Sequence, residues 1–426
     1  MIREEIWFIE PRDSIIFRDG REFAAGGGAS ARTLEFPYPS TTTGAARARA
    51  ILHSFASEFG LLESRNGRSK VLSQAVLGGV RVKGPLLATM TNQHQILIMP
   101  PAPADCVIAG NASGKGAMQV PIVPLKIDDH TLTDLKTEGI NCKLAICGNK
   151  KLLRQKPLKE VPVFWKWEHF RDWLVSPTER SLASATDLGI GRLPIDRRTH
   201  VKIDSDRRAG VDGDLFETRG LAFAAPIDNA AAAPDPSNRL GLLIQTTFRE
   251  PDPDREFNFG IDEGFGPLGG ERRFAYWRRV PDNSIPAIPA EIRERVLADR
   301  ACRIVLLTPA IFAKGFLPSW LLQTKGAKPN LVAAALRGYQ VVSGFNLQLR
   351  RPRPTRRMCP AGSVFFLRFN RDAPDERIAR WLEKYWFGCI SDAKHDRHDG
   401  FGMAAIGTWD GQLVPFEEVF YGSIDQ

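Results

Sequence analysis

Ile6-Trp7-Phe8-Ile9-Glu10-Pro11-Arg12-Asp13-Ser14-Ile15-Ile16-Phe17 runs into Phe17-Arg18-Asp19-Gly20-Arg21-Glu22-Phe23, and a glycine-rich loop then leads to Ser40-Thr41-Thr42-Thr43-Gly44-Ala45-Ala46-Arg47-Ala48-Arg49. The first stretch has the apolar content of a strand, the second is a basic loop, and the third opens a helix. Hydroxyl residues ahead of an alanine-rich segment cap a helix. Its free amides and the adjacent arginines then face one place and can hold a phosphate chain. Beyond them Ala48, Ile51, Leu52, Phe55, Phe59 and Leu62 recur near the helical period, with Gly60 as a stop. This stripe is expected to pack on a sheet, while Arg47 and Arg49 either serve the phosphate site or merely solvate the other face.

Working outward, the 426 residues are 43% hydrophobic and 25% charged, enough for two or three ordinary cores. The formal charge is +9, and arginine dominates the conspicuous basic clusters, so an anionic partner is expected. Cysteines 106, 142, 147, 302, 359 and 389 lack the density of a secreted disulfide framework and read as reduced thiols in a cytoplasmic protein. No apolar run has membrane-spanning length, and the first residues continue into a strand pattern instead of a signal-peptide core.

Pro281-Asp282-Asn283-Ser284-Ile285-Pro286-Ala287-Ile288-Pro289 resists both helix and sheet and is the linker candidate. It divides an N-terminal unit (1–280) from a C-terminal one (291–426), with 281–290 between them. In the first, Leu240 to Phe248 has strand composition between two proline-rich loops. In the second, strands are expected at Arg303 to Thr308, Gln340 to Arg350 and Ser363 to Phe369. A helix follows from Asp375 to Phe387, with Pro374 in its first turn, Ile378, Trp381, Leu382 and Tyr385 on one face and Gly388 ending it. The fold class is α+β: two ferredoxin-like (RRM-like) domains with loop and hairpin insertions.

The densest cationic run is Arg350-Arg351-Pro352-Arg353-Pro354-Thr355-Arg356-Arg357. Its prolines are expected to keep it extended and out of the sheet, where it can neutralise several phosphates; the bland alternative is a solvated loop. Glycines recur at 26–28, 264–270 and 400–407, the latter two sets beside aromatics or arginines, as tight turns or as places where a phosphate or base comes close. Gly110 to Gly116 imitates a nucleotide loop but lacks its spacing, the hydroxyl after Lys115 and the following helix, so it reads as a hairpin turn. Cys389, His395 and His398 lack a fourth ligand, Cys142 and Cys147 have no second pair, and Asp128-Asp129-His130 stands alone as a capped turn. No metal or cofactor is expected. Trp165, Trp167 and Trp173 read as core.

Several segments taken in order resemble the third subunit of the Cmr complex, the type III-B CRISPR effector, within the Cas5-like group of the RAMP superfamily. In the first unit they are Phe17 to Phe23, Phe36 to Thr41, Gly189 to Phe216 with its Arg197-Arg198-Thr199-His200 and Asp212-Gly213-Asp214-Leu215-Phe216, and Leu268 to Arg273. In the second they are Leu307 to Ala310, Gly315 to Trp320, Val342 to Phe345, Pro360 to Val364 and Gly400 to Gly402. The resemblance implies a non-enzymatic RNA-binding protein that holds the 5′ tag of the CRISPR RNA, with the large polymerase-like subunit and the backbone RAMP subunit as protein partners and target RNA met only indirectly. Carried onto these positions, the role falls to Arg18, Arg21, Ser40, Thr41 and Arg47, to Gly269, Gly270, Arg272 and Arg273, and to Gly400, Phe401 and Gly402. Charge alone adds Arg350, Arg351, Arg353, Arg356 and Arg357. Lys314-Gly315-Phe316 begins like an RNA-recognition signature that Leu317-Pro318 breaks. Segments 91–127 and 225–260 read as inserts. The alternatives are a metal-independent repeat-RNA endoribonuclease using His53 as base, and the tag-holding subunit of a type III-A complex.

Overall fold

The computed structural model describes residues 2–18, 30–31, 33–57, 78–110, 116–126, 136–137, 140–149, 157–224, 239–249, 259–271, 273–324, 326–346, 351–416 and 419. Among the sequence expectations, Arg21, Gly26 to Gly28, Phe59, Gly60, Leu62, Asp128-Asp129-His130, Arg272 and Arg350 lie outside these residues.

Strand β1 (Ile2–Pro11) is apolar on consecutive positions because both of its faces are covered. Ile6 and Phe8 enter one hydrophobic core, Trp7 and Ile9 another. The apolar run is not one strand through Phe17: it stops at Pro11, Arg12 and Asp13 turn outward, and Ile15 resumes pairing as a single bridge to Leu221. Helix α1 (Pro39–Ser57) begins at its proline, which the first turn tolerates because that amide has no helical partner. The face expected from spacing is not the buried one. Ala48 and Leu52 are exposed, and the buried stripe is Thr43, Ala46, Ala50 and Ser54, whose small side chains let the helix lie close to the sheet.

The chain continues through β2 (Val80–Met90), β3 (Ile96–Met99), β4 (Cys106–Gly110), β5 (Ala117–Lys126), α2 (Trp167–Val175), β6 (Ile195–Ile203) and β7 (Gly210–Leu221) to β8 (Arg239–Arg249), β9 (Gly264–Pro267) and β10 (Phe274–Val280). The first sheet has the order β9-β10-β1-β8-β2-β3 and is antiparallel throughout. Thus Leu240 to Phe248, the expected strand, is a central one within the segment read as an insert, and 225–238 and 250–258 lie outside the described residues. Strands β4 and β5 pair antiparallel as far as Gly110 and Ala117, and residues 111–115 of the expected turn lie outside the described residues.

After Pro281 to Pro289 come α3 (Ala290–Asp299), β11 (Ala301–Leu306), β12 (Asn330–Ala335), β13 (Gln340–Val342), β14 (Phe345–Asn346), β15 (Arg351–Pro352), β16 (Arg356–Met358), β17 (Val364–Arg368), α4 (Asp375–Tyr385), β18 (Gly388–Cys389), α5 (Lys394–His398) and β19 (Met403–Thr408). The second sheet runs β12-β17-β11-β19-β18, again antiparallel. The protein is therefore a mixed α/β chain built mostly on antiparallel sheets. Helix α4 buries Ile378, Trp381, Leu382 and Tyr385 as its spacing predicts, each apolar side chain of this size contributing about 1.5–3 kcal/mol when fully buried. It ends at Tyr385, two residues before the expected Phe387, because Phe387 and not Gly388 takes the left-handed conformation.

Residues of both sheets share one core: Ile6, Phe8 and Leu86 from the first meet a cluster holding Ile304, Phe366 and Ile406 from the second. Across it Arg303, 1% exposed, forms an ion pair with the equally buried Asp105 and donates to the carbonyls of Thr408 and Trp173, at 2.7 Å each. Asp105 also accepts from Trp173 Nε1 at 2.9 Å. Segment 91–127, read as an insert, thus supplies the carboxylate that locks β11. The six cysteines are free thiols, four of them buried. Burial pushes Cys302 above the ordinary thiol range and Cys359 and Cys389 up to about 12.

Candidate nucleic-acid interface

A cleft of about 720 Å³ opens where four distant segments meet. Arg18 and Leu34 come from the chain after β1, Tyr38, Ser40, Thr41 and Gly44 from the start of α1, Val342 to Gly344 with Arg353, Pro354 and Arg356 from the β13 to β16 ribbon, and His395, Asp399 and Phe401 from α5 and the loop after it. Of the sequence-expected residues, the structure gathers Arg18, Ser40, Thr41, Arg353, Arg356 and Phe401 here.

The hydroxyls do not cap α1 as expected. The helix has already begun at Pro39, and the Thr41 amide bonds to the Tyr38 carbonyl at 3.0 Å. Thr42 and Thr43 point inward; the Thr43 hydroxyl donates to the Asp399 carbonyl at 2.8 Å. Ser40 and Thr41 remain on the cleft wall, at the positive end of the helix dipole.

The arginine run is not held out of β structure by its prolines. Arg351-Pro352 pairs with Phe345-Asn346, and Arg356 to Met358 pairs with Gln340 to Val342, so a narrow ribbon presents the run to the cleft. Within it the arginines differ. Arg356 Nη1 contacts both oxygens of the buried Asp396, at 2.8 and 2.9 Å. Arg357 lies 5.1 Å over the exposed Tyr339 ring and does not line the cleft. Arg353 is exposed on the cleft wall and has no ion pair among the described residues. Only the backbone of Arg351 is described.

Other expected contacts serve the fold. Arg47 is paired with Asp399 at 2.7 Å and donates to the Val80 carbonyl, fastening α1 to the α5 loop and to β2. Arg273 is held by Asp13 and Glu271. Gly269 has φ +71, and a Cβ there would sit 2.6 Å from the Ile16 carbonyl; its neighbour Gly270 donates its amide to that same oxygen at 2.7 Å. This turn braces the segment that carries Arg18. Phe401 is 1% exposed and packs with Ile311, Val342 and Met358, so it floors the cleft and offers no stacking face. Gly400 and Gly402 admit protein backbone: Cβ atoms there would lie 2.6 Å from Gly84 O and 2.8 Å from Ser391 N.

Sequence reasoning missed Tyr38, Ser343, Gly344, His395 and Asp399 as cleft residues. The hydroxyl of Tyr38 donates to the Val341 carbonyl at 3.3 Å, joining the helix start to the ribbon. Only the placement of His395 and Asp399 beside the Gly400 to Gly402 motif hinted at them. His53 lies elsewhere, bound to Asp262 at 2.9 Å, and does not line this cleft. Trp165 and Trp173 are core residues, stacked edge to face at 6.2 Å. No helix among the described residues is long and apolar enough to cross a membrane.

Fold and cleft together define a mixed α/β protein on antiparallel sheets, with a basic groove built from both halves of the chain. The family model described as CRISPR-associated protein (Cas_Cmr3) matches residues 7–409, so the chain belongs to that family, the one its ordered motifs resemble, and is of the class of type III-B CRISPR complex subunits. Among solved structures, the chain is similar to one described as "Cryo-EM structure of the Type III-B Cmr-beta bound to cognate target RNA", at 15% identity and TM-score 0.41, covering 85% of this chain and 86% of that one. The same assembly "bound to cognate target RNA and AMPPnP, state 1" matches at 14% identity and TM-score 0.36, covering 85% and 86%. No curated protein matches the chain.

Proposed function

We propose that this protein holds the 5′ tag of a CRISPR RNA in the cleft between α1 and the arginine ribbon, and joins the large polymerase-like subunit to the backbone RAMP filament of a cytoplasmic type III-B effector without cutting RNA. One observation carries the reading: in a Cas_Cmr3 chain, Arg18, Ser40, Thr41, Arg353 and Arg356, drawn from segments more than 300 residues apart, converge on a single groove whose one lining carboxylate among the described residues, Asp399, is already matched by Arg47. Each sheet is a ferredoxin-like unit in this reading. In both, the first strand lies between the third and the fourth, with the second outside the third: β1 between β8 and β10, β11 between β17 and β19.

Phosphates would lie along Arg18, Arg353 and the helix start, while Tyr38 supplies the aromatic surface that Phe401 does not. Recovering the tagged protein from its native cells and sequencing the bound RNA tests the proposal. Short RNAs sharing one common 5′ end are expected; random RNA, or none, overturns it. The nuclease alternative requires an imidazole at the groove, and that position belongs to His395, not His53. Discrete metal-independent cuts in labelled repeat RNA, lost in His395→Ala, would replace the non-catalytic reading.

A further inference from the structure

Helix α5 has a second basic face. Behind the tag cleft, and sharing His395 with it, lies an open basin of about 610 Å³ lined by Gly78, Gly79, Arg81, Arg249, Lys394, His395 and His398. The two glycines leave its floor without side chains, and its walls come from β2, β8 and α5. Among the described residues no carboxylate lines it. Of the described acids on α5 and the loop after it, Asp396 holds Arg356 and lies 3.3 Å from His395 Nε2 at the basin's edge, and Asp399 holds Arg47.

Many arginines elsewhere on the surface are met by a carboxylate, as Arg47 is by Asp399, Arg198 by Asp13 and Arg356 by Asp396. Among the described residues Arg81, Arg249 and Lys394 have no ion pair, and the enclosed Nε of Arg81 has no hydrogen-bond partner. Like charges gathered this closely repel one another unless an anion relieves them. We propose that the basin is a phosphate-binding site distinct from the tag cleft, in which Arg81, Arg249 and Lys394 hold a phosphate group and His398 is the proton-accepting member of the cluster.

The state of His398 agrees with an unrelieved positive field. Burial, then Arg81, Lys394, Arg47 and Arg397, push its imidazole down to about 4. The groups around it are Arg81 from β2, Arg249 from β8, Arg47 with its partner Asp399, and Lys394, His395 and Arg397 on its own helix. A phosphate entering the basin cancels part of that field, so its binding raises the His398 pKa from about 4 and draws a proton onto the imidazole as pH falls through the raised value. The phosphate could be that of an RNA chain passing over α5 or that of a separate anion; the chemistry is the same and the test separates them.

The full-length chain, with its histidines labelled at Cε1, is titrated with inorganic phosphate while the His398 resonance is followed against pH. The expected result is saturable binding that raises the His398 pKa by a unit or more, and a loss of phosphate affinity of about tenfold or more in Arg81→Gln/Lys394→Gln with an unchanged melting temperature. Arg353→Ala keeps the phosphate response, so failure of the tag reading and failure of this one stay distinguishable. A short single-stranded RNA that displaces phosphate from wild type, and does so less well in Arg353→Ala, assigns the basin to the RNA backbone; RNA that binds while the phosphate response persists assigns it to a separate anion. A His398 resonance unmoved by phosphate, or moved equally in the double variant, overturns the proposal.

Discussion

Arg303 and Arg353 are the same residue type put to opposite uses. Arg303 sits in the middle of a strand whose six residues are all buried, and its charge is answered by Asp105 and by carbonyls of α2 and β19. Arg353 stands exposed on a cleft wall with no ion pair among the described residues. The difference shows that a guanidinium marks a ligand site by what fails to meet it inside the protein. Density in sequence does not settle the matter: of the arginine run, one side chain is held by Asp396, one lies over Tyr339, and Arg353 is left facing the groove.

The comparison is tested most severely from the buried side. Asp105→Ala strands the Arg303 charge in the core and also removes the acceptor of Trp173 Nε1, so a loss of about 3–5 kcal/mol in stability is expected, read as a large drop in melting temperature or in soluble yield. The paired change Asp105→Leu/Arg303→Met is expected to recover much of that loss, because no unmatched charge remains. If Asp105→Ala melted like wild type, the lock that ties β11 and α2 to the segment ahead of β4 would not exist.

A smaller effect is expected at the joint between interior and groove. Gly400 has φ +91, and a Cβ there would meet Gly84 O at 2.6 Å, so Gly400→Ala is expected to cost about 1–3 kcal/mol and to displace the loop carrying Asp399 and Phe401. Calorimetry gives the first quantity; weaker RNA binding than the stability loss explains would show the second. Full stability in Gly400→Ala would mean that this turn tolerates a side chain and does not set the cleft floor.

Much of this was legible locally. Helix α4 followed from four apolar positions and a proline, β8 from its composition, and the ordered short motifs pointed to the family that matches residues 7–409. That Arg18, Ser40 and Thr41 line one cleft was readable because cation and hydroxyls lie in one stretch of the chain. What could not be read were the partners supplied from far along the chain. Asp399 answers Arg47 and Asp396 answers Arg356 across long sequence separations, and nothing in the local pattern of either arginine announces it. The buried face of α1 was misjudged for a related reason: close packing on β2 selects small residues, and a search for large apolar ones follows the wrong stripe.

On the groove side, Arg353→Ala is expected to leave stability within about 0.5 kcal/mol of wild type, as an exposed, unpaired residue should. Affinity for a single-stranded tag RNA should fall for all sequences alike, and the slope of log affinity against log salt should become shallower by about 0.7, the loss of one phosphate contact. Arg357→Ala, at a neighbouring position stacked on Tyr339, should change the slope less. Equal slopes in wild type and Arg353→Ala would remove the electrostatic basis of the contrast drawn with Arg303.

The smallest expected effect concerns an arginine cluster that is paired yet exposed. Arg198 bonds to Asp13 at 2.7 Å and to Asp196 at 2.8 Å, while Arg273 approaches Asp13 from the other side. The hydrogen bond from Arg198, helped by the Ser14 amide and the Arg273 charge and opposed by partial burial, holds the Asp13 carboxyl below its ordinary value of 3.8. Asp196 is lowered too, first by the Ser14 hydroxyl and then by Arg198. A carboxylate whose folded pKa is depressed stabilises the fold above the unfolded pKa, and that contribution fades as pH falls through the folded value. Asp13→Asn should therefore melt slightly below wild type at neutral pH, the gap should close below about pH 4, and added salt should shrink it because the cluster is solvent-exposed. A gap that widened in acid would mean that Asp13 is held in its protonated form, and that Arg198 and Arg273 are not its partners.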